Sequence, residues 1–276
     1  MFTRILVPLN AGAETTGAVR IARSLTRQMN AALITLPLPS RAFTEEKESL
    51  LLAAALIERA DLIVLPEEPA SDVRERQGAR IPTTLLATSP VPVLLAPPMC
   101  PGAGRPEPLS LAASFVIAPL DGSKEAEQAL PYAVALAERC ERVLLLTHVV
   151  PSIALPVDDD ESVTEREART GLHYLRTVRL RLATQSGVAV ESMQLHGNVA
   201  DALTQLLRAH ESSLMVLTAH EGQSPDNRSG DGVTRELIRR GRFPLMFIPP
   251  AAIRHHAPMP VGSRDTPLVA SRGRSR

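Results

Sequence analysis

The fold is decided by three short apolar segments that each occur twice in the chain. ILVPLN at 5–10 returns as VIAPLD at 116–121, DLIVL at 61–65 returns as SLMVL at 213–217, and PVPVLLAP at 90–97 returns as RFPLMFIP at 242–249. Both copies keep the same order. A repeat of this length predicts two copies of one α/β domain, because solenoid units are much shorter.

Within each copy, these segments alternate with stretches of helical periodicity, and they are apolar on both faces. This pattern is typical of a parallel sheet covered by helices on both sides. We therefore predict an α/β fold of two doubly wound parallel-sheet domains in tandem. The first domain is shortened, because the second alone carries a predicted long helix at 165–185 and a predicted strand at 188–195.

Composition marks the domain boundaries. The Pro- and Gly-rich segment MCPGAGRPEP at 99–108 is typical of a linker, and from Arg254 onward His, Pro, Ser, Gly and Arg predominate. We place a degenerate first domain at 1–98, a linker at 99–112, the second domain at 113–252 and a disordered basic tail at 253–276. An anion- or nucleic-acid-binding arm is the alternative interpretation of the tail.

The last strand of each copy, at 91–96 and at 245–248, is short and apolar. Left as open edges, such strands invite aggregation. We therefore expect them to pair with each other, so that the domains form an intramolecular pseudo-dimer, with homodimerisation as a further option.

The overall composition excludes several classes of protein. The 276 residues carry a formal net charge of zero, which gives no electrostatic reason to expect nucleic acid or a membrane surface as partner. The two cysteines do not form a disulfide framework, and no apolar run reaches the roughly 20 residues of a membrane span. The N-terminus lacks the pattern of a signal peptide. A cytoplasmic protein is the expectation.

In a doubly wound sheet, ligands bind outside the carboxyl ends of the strands at the switch point. In the second copy, the segments at those ends are Pro119–Ser123, His148–Val150 and Thr218–Gly232. The turn PLDGS at 119–123, the strand end LTHV at 146–149 and the loop that leads into a last helix and strand resemble universal stress proteins. The resemblance covers nearly all of the second copy and, apart from the deletion, the first. It implies Rossmann-like domains of the adenine nucleotide alpha hydrolase type, dimerisation through the last strand and, in some members, ATP binding.

The ATP-binding branch of that family carries Gly-x-x-Gly, nine residues, then Gly-Ser. This chain keeps the spacing but has Thr218, Glu221, Asp231 and Gly232 at those four positions. A carboxylate about 4 Å from a phosphate costs around 4 kcal/mol at an effective dielectric constant of 20. By resemblance, Asp121 would hold the ribose or base and Val149 would lie beside adenine. The candidate cofactor-binding residues are Pro119, Asp121, Val149, Thr218, Glu221, Asp231, Gly232 and Val233.

The first copy departs further from the family pattern. Asn10 replaces the aspartate, and Pro66, Pro69, Ala79 and Arg80 occupy the loop positions. Proline lacks the N–H that a phosphate cradle would use. We expect no nucleotide binding there.

The sequence indicates no catalytic or metal-binding residues. His196, His210 and His220 lack metal-ligand spacing, and a structural role is the expectation for His148. Together with this, the resemblance implies a non-catalytic stress-response or regulatory module that binds an unknown protein partner or small ligand, with nucleotide binding lost. One alternative is an ATP- or AMP-binding protein that uses the second domain only, with at most slow hydrolysis. Another is a purely structural paralogue.

Overall fold

The computed structural model of the chain describes residues 2–10, 17–38, 45–66, 83–97, 115–151, 160–210, 213–219, 230–240 and 243–255. The first repeat comprises β1 (Arg4–Asn10), α1 (Gly17–Met29), β2 (Ala32–Leu38), α2 (Glu45–Ile57), β3 (Leu62–Pro66), α3 (Thr83–Thr88) and β4 (Val93–Ala96). The second comprises β5 (Phe115–Pro119), α4 (Lys124–Glu127), α5 (Leu130–Arg139), β6 (Val143–Val150), α6 (Asp160–Gln185), β7 (Val190–His196), α7 (Val199–Ala209), β8 (Leu214–Thr218), α8 (Gly230–Arg240), β9 (Leu245–Ile248) and α9 (Pro250–His255).

The nine strands of the described residues form one sheet in the order β2-β1-β3-β4-β9-β8-β5-β6-β7. Within each repeat, the described strand pairs are parallel. The repeats meet where β4 pairs antiparallel with β9, with Leu94 opposite Met246. The α/β class and the expected pairing of the two last strands are therefore both confirmed.

Two apolar clusters, one on each face of this sheet, form the core. Helices α1, α5 and α6 cover one face, and α2, α3, α7 and α8 cover the other. Each cluster contains residues of both repeats. Because side chains alternate along a strand, the residues of the β4–β9 junction are shared out between the two clusters. Leu94 and Met246 belong to one cluster, whereas Leu95 and Phe247 belong to the other. The repeats thus share both halves of their core.

Local sequence explains how the first helices of the second repeat begin. The Ser123 hydroxyl caps α4 by accepting the N–H of Ala126 at 3.0 Å. Two helices, α4 and α5, lie between β5 and β6. Pro131 lies in the first turn of α5, where its missing N–H removes no helical hydrogen bond.

The two ends of the second repeat also differ from the sequence prediction. Helix α6 begins at Asp160, before the predicted start at 165. Helix α9 runs through residue 252, the predicted end of the domain, to His255. Its Ala252 is buried and accepts a hydrogen bond from the Tyr132 hydroxyl at 3.3 Å. The predicted linker at 99–112 and the rest of the predicted tail lie outside the described residues.

The first repeat is the smaller one. Neither α6 nor β7 has a counterpart among its described residues, so β2 is the outermost strand on its side of the sheet. None of the described helices is long and apolar enough to cross a membrane.

Truncating the junction between the repeats tests its contribution to stability. Leu94 is fully buried opposite Met246. Leu94→Ala should lower the free energy of unfolding by about 3 kcal/mol, because it removes apolar contacts and leaves a cavity. Urea denaturation should report this loss in one transition for both repeats. The exposed Leu180→Ala on α6 is the control and should change stability by less than about 0.5 kcal/mol.

Candidate functional site

The switch point of the second repeat lies at β5, which is flanked by β8 and β6. The turn that follows β5 is fixed to β6 by two contacts of Leu120. Its N–H donates to the carbonyl oxygen of Thr147 at 2.7 Å, and its carbonyl oxygen lies 2.8 Å from Nδ1 of His148. A carbonyl oxygen can only accept a hydrogen bond, so Nδ1 carries the proton. His148 therefore positions the turn.

Asp121 follows directly in this turn, and its side chain is exposed at the carboxyl end of the sheet. Its Oδ1 accepts the N–H of Ser123 at 2.8 Å. Gly122 between them has φ of 91°, a left-handed conformation that favours glycine. Hydrogen bonds of Leu120 and Ser123 thus hold the backbone on either side of Asp121, whose carboxylate is exposed.

Close packing on the far side holds His148 in place. Helix α6 approaches β6 at Gly171, where a Cβ atom would lie 2.4 Å from Cδ2 of His148. The ring also lies beside Tyr174, with centroids 6.3 Å apart. Burial, and then the hydrogen bond and the charge of Glu127, raise the pKa of the Tyr174 phenol. These contacts hold the His148 ring in place between α6 and the β5 turn.

An apolar wall lies on the opposite face of β6. Val149, Val199 and Val233 come from β6, α7 and α8, are partly exposed and pack against the same core cluster. Strand alternation places Thr147 on the same face as Val149. The Thr147 hydroxyl is buried, and it has no hydrogen-bond partner within the described part of the chain. The site therefore combines an apolar wall, an unsatisfied hydroxyl and, from the turn, a carboxylate.

The four residues that align with the family's phosphate loop lie in three different parts of the chain. Thr218 ends β8 and is buried, and Glu221 lies outside the described residues. Helix α8 begins at Gly230, so Asp231 and Gly232 lie in its first turn, where sequence analysis predicted a loop up to 232. Gly232 is exposed and has open space around it. Residues 230–232 adopt helical backbone in spite of their two glycines, so the helix begins earlier than predicted.

A charged network holds α8 against α7. Arg240 donates to Asp201 at 2.6 Å and to Glu236 at 2.8 Å, and reaches the Thr204 hydroxyl at 3.1 Å. Hydrogen bonds from Arg239 and Arg240 lower the pKa of Glu236 to about 2. Because Val199 and Val233 lie at the starts of these two helices, the network fixes two parts of the apolar wall relative to each other.

Sequence reasoning found part of this arrangement. Pro119, Asp121, Val149 and Val233 lie at or near the carboxyl edge of the sheet, as expected of candidate residues. The sequence-based prediction did not include Thr147 and Val199. Thr147 could have been found from its two-residue spacing to Val149, and Val199 from the capping residue Asn198, whose side chain accepts the N–H of Asp201. Within the described ranges, no group of three or more His, Cys, Asp or Glu residues could hold a metal ion.

The sheet order and switch point define the second repeat as a Rossmann-like α/β domain. Residues 115–249 match the model of the universal stress protein family. The second repeat is a universal stress protein domain. No curated protein matches the sequence.

Solved structures resemble a larger part of the chain. A functionally unknown protein from Pseudomonas aeruginosa PAO1 is 14% identical, with 92% of this chain and 84% of that chain covered, at a TM-score of 0.54. A universal stress protein from Archaeoglobus fulgidus is 18% identical, with 84% and 74% covered, at 0.50. An Arabidopsis thaliana family member with AMP bound is 17% identical, with 50% and 92% covered, at 0.36. At such identities, the first two show the fold.

The network between α7 and α8 predicts a specific dependence of stability on pH. The pKa of Glu236 is 4.5 before folding and about 2 in the folded chain, so its stabilisation is present above pH 4.5 and lost as pH falls towards 2. Glu236→Gln should lower stability near pH 7 by about 0.5 kcal/mol, since solvent screens this exposed network. At pH about 2, urea denaturation should find wild type and variant equal. An equal difference at both pH values would contradict this assignment.

Proposed function

We propose that this chain is a non-catalytic regulatory module of the stress response, and that its second repeat binds a nucleoside-type small ligand but disfavours triphosphates. One observation carries the proposal: a carboxylate, Asp121, is fixed at the switch point next to the strand end that bears Val149 and Thr147. The first repeat serves as a partner that completes the sheet.

The chemistry of these groups suits a nucleoside. A carboxylate accepts hydrogen bonds from the two ribose hydroxyls or from an exocyclic amine. Partly exposed valines offer an apolar surface to a flat base, and ligand sites are mostly apolar with a few polar groups that fix orientation.

The phosphate end of the family site is altered in sequence. Glu221 and Asp231 stand at positions where ATP-binding members carry glycine. Each carboxylate near a phosphate costs around 4 kcal/mol at about 4 Å and an effective dielectric constant of 20, before screening by salt. Without glycine, the backbone N–H groups also approach phosphate less closely.

A second candidate function is binding of ATP or AMP by the second repeat, with at most slow hydrolysis. The exposed Gly232 in the first turn of α8 favours it, because a helix N-terminus attracts phosphate. AMP carries fewer charges than ATP and would tolerate the two carboxylates better.

The proposal also covers partners and location. We infer a cytoplasmic protein that acts through a small ligand or a protein partner, without a membrane or a specific nucleic acid. The zero net charge supports this inference, since nucleic acids and anionic membranes attract basic surfaces. A non-catalytic role is supported by His148, which the described contacts occupy in positioning the β5 turn.

Nucleotide titration tests the proposal directly. ATP should bind with a dissociation constant of about 1 mM or weaker, and adenosine should bind at least as tightly because it lacks phosphates. Isothermal titration calorimetry on the full chain measures both. Asp121→Asn should weaken adenosine binding. Glu138→Gln is the control, because Glu138 is exposed at the end of α5 that leads into the start of β6, at the opposite edge of the sheet. Micromolar binding of ATP by the wild type would overturn the proposal.

Restoring the family loop should restore ATP binding. Replacing Thr218, Glu221 and Asp231 with glycine, together with Gly232→Ser, should raise the ATP affinity of the second repeat at least tenfold, or about 1.4 kcal/mol. The change removes two carboxylates and opens the backbone to phosphate, while Asp121 and Val149 remain in place.

The first repeat provides the matched control. The same replacements at Pro66, Pro69, Ala79 and Arg80 should have little effect, because Asn10 stands where the second repeat has Asp121. Both grafts are titrated with ATP in identical salt, after their melting temperatures have shown that they are folded. Equal gains in the two grafts would contradict the assignment of the site to the second repeat.

A further inference from the structure

Helix α2 packs one face against the core and leaves several large apolar side chains exposed on its other faces. Lys47 and Glu48 are buried, whereas Leu50, Leu56 and Ile57 are 47%, 62% and 78% exposed. A helix that lies on a sheet normally turns its apolar face inward and its polar face to water. Neighbouring exposed apolar side chains of this size indicate a surface that another molecule covers.

The second repeat shows that the fold does not require this surface. Helix α7 holds the equivalent position there, since α2 leads into β3 and α7 leads into β8. The exposed residues of α7 include Asp201, Gln205 and Arg208, and its buried residues are mainly Ala and Leu. The same structural element is thus polar outside in one repeat and apolar outside in the other.

The apolar residues of α2 form a self-complementary stripe. Leu50, Ala53, Ala54 and Ile57 have the i, i+3, i+4, i+7 spacing of one helix face. Ala54 lies at the edge of this face, where it is partly buried against the core. The order large, small, small, large is the same in both directions. Against an antiparallel copy of itself, the stripe places Leu50 opposite Ile57 and alanine opposite alanine, and the alanines allow close approach.

Charges at the two ends of the stripe favour the same arrangement. Glu46 lies one turn before Leu50 on this face, and Arg59 lies two residues after Ile57; both are exposed. Antiparallel pairing brings Glu46 of one copy within about one helical turn of Arg59 of the other. Parallel pairing would place like charges side by side, which costs free energy.

We propose that this stripe, Leu50, Ala53, Ala54 and Ile57, is a homodimer interface at which α2 packs antiparallel against α2 of a second copy. The interface lies on the first repeat, whereas the ligand site lies on the second, so the two are independent. A single helix pair buries less than the roughly 800 Å² per partner of a stable complex. The dimer is therefore weak, with a dissociation constant of about 10–100 μM.

Sedimentation equilibrium of the full chain, from about 1 to about 300 μM, tests the interface. The average mass should rise from monomer towards dimer across this range. Ile57→Glu should weaken association at least tenfold, because it places a carboxylate against Leu50 of the second copy. Leu180→Glu is the matched control: Leu180 is 61% exposed on α6, and this substitution should leave association unchanged.

Charge reversal separates self-association from any other cause. Arg59→Glu should weaken the dimer severalfold, and adding Glu46→Arg to the same chain should restore it, since each end of the interface again pairs opposite charges. Melting temperatures confirm that each variant is folded. The proposal is overturned if the wild type stays monomeric up to about 300 μM, if Leu180→Glu weakens the dimer as much as Ile57→Glu, or if the double reversal restores nothing.

Discussion

The structure depends on the antiparallel pairing of β4 with β9. Four-residue strands of this kind are too short to be stable edges, yet each is fully buried here because the other covers it. The pairing merges two small sheets into one of nine strands, and it also aligns the helices on each face. Both apolar clusters therefore extend across the repeats, and the shortened first repeat gains core that it could not form alone.

The second constraint is local, and it determines the site. Leu120 contacts Thr147 and His148 through its two backbone groups, and Gly171 lets α6 approach closely enough to hold the histidine ring. As a result, the turn after β5 is rigid and its carboxylate keeps a fixed position. Binding groups on such a turn need little ordering when a ligand arrives, which reduces the entropic cost of binding.

The two repeats differ in size and in the polarity of their surfaces. The second keeps the long α6, the outer strand β7 and the residues of the switch point, and it matches the family along nearly its whole length. The first lacks α6 and β7 among its described residues, and it exposes apolar side chains on α2 where α7 is polar. The proposed ligand site and the proposed assembly surface thus lie on different repeats.

The sequence by itself determined the α/β class, the succession of helices and strands along the chain and the family of the second repeat, because these follow from apolar runs and turn residues that are local in the chain. It also indicated the pairing of the last strands, since both segments are too apolar to remain uncovered. Only the tertiary structure decided how Leu120 is held by His148, that the Thr147 hydroxyl is unsatisfied among the described residues, and that α8 begins at Gly230. The first two of these depend on contacts between residues distant in sequence, and the third on helical backbone at two glycines, which intrinsic propensity disfavours.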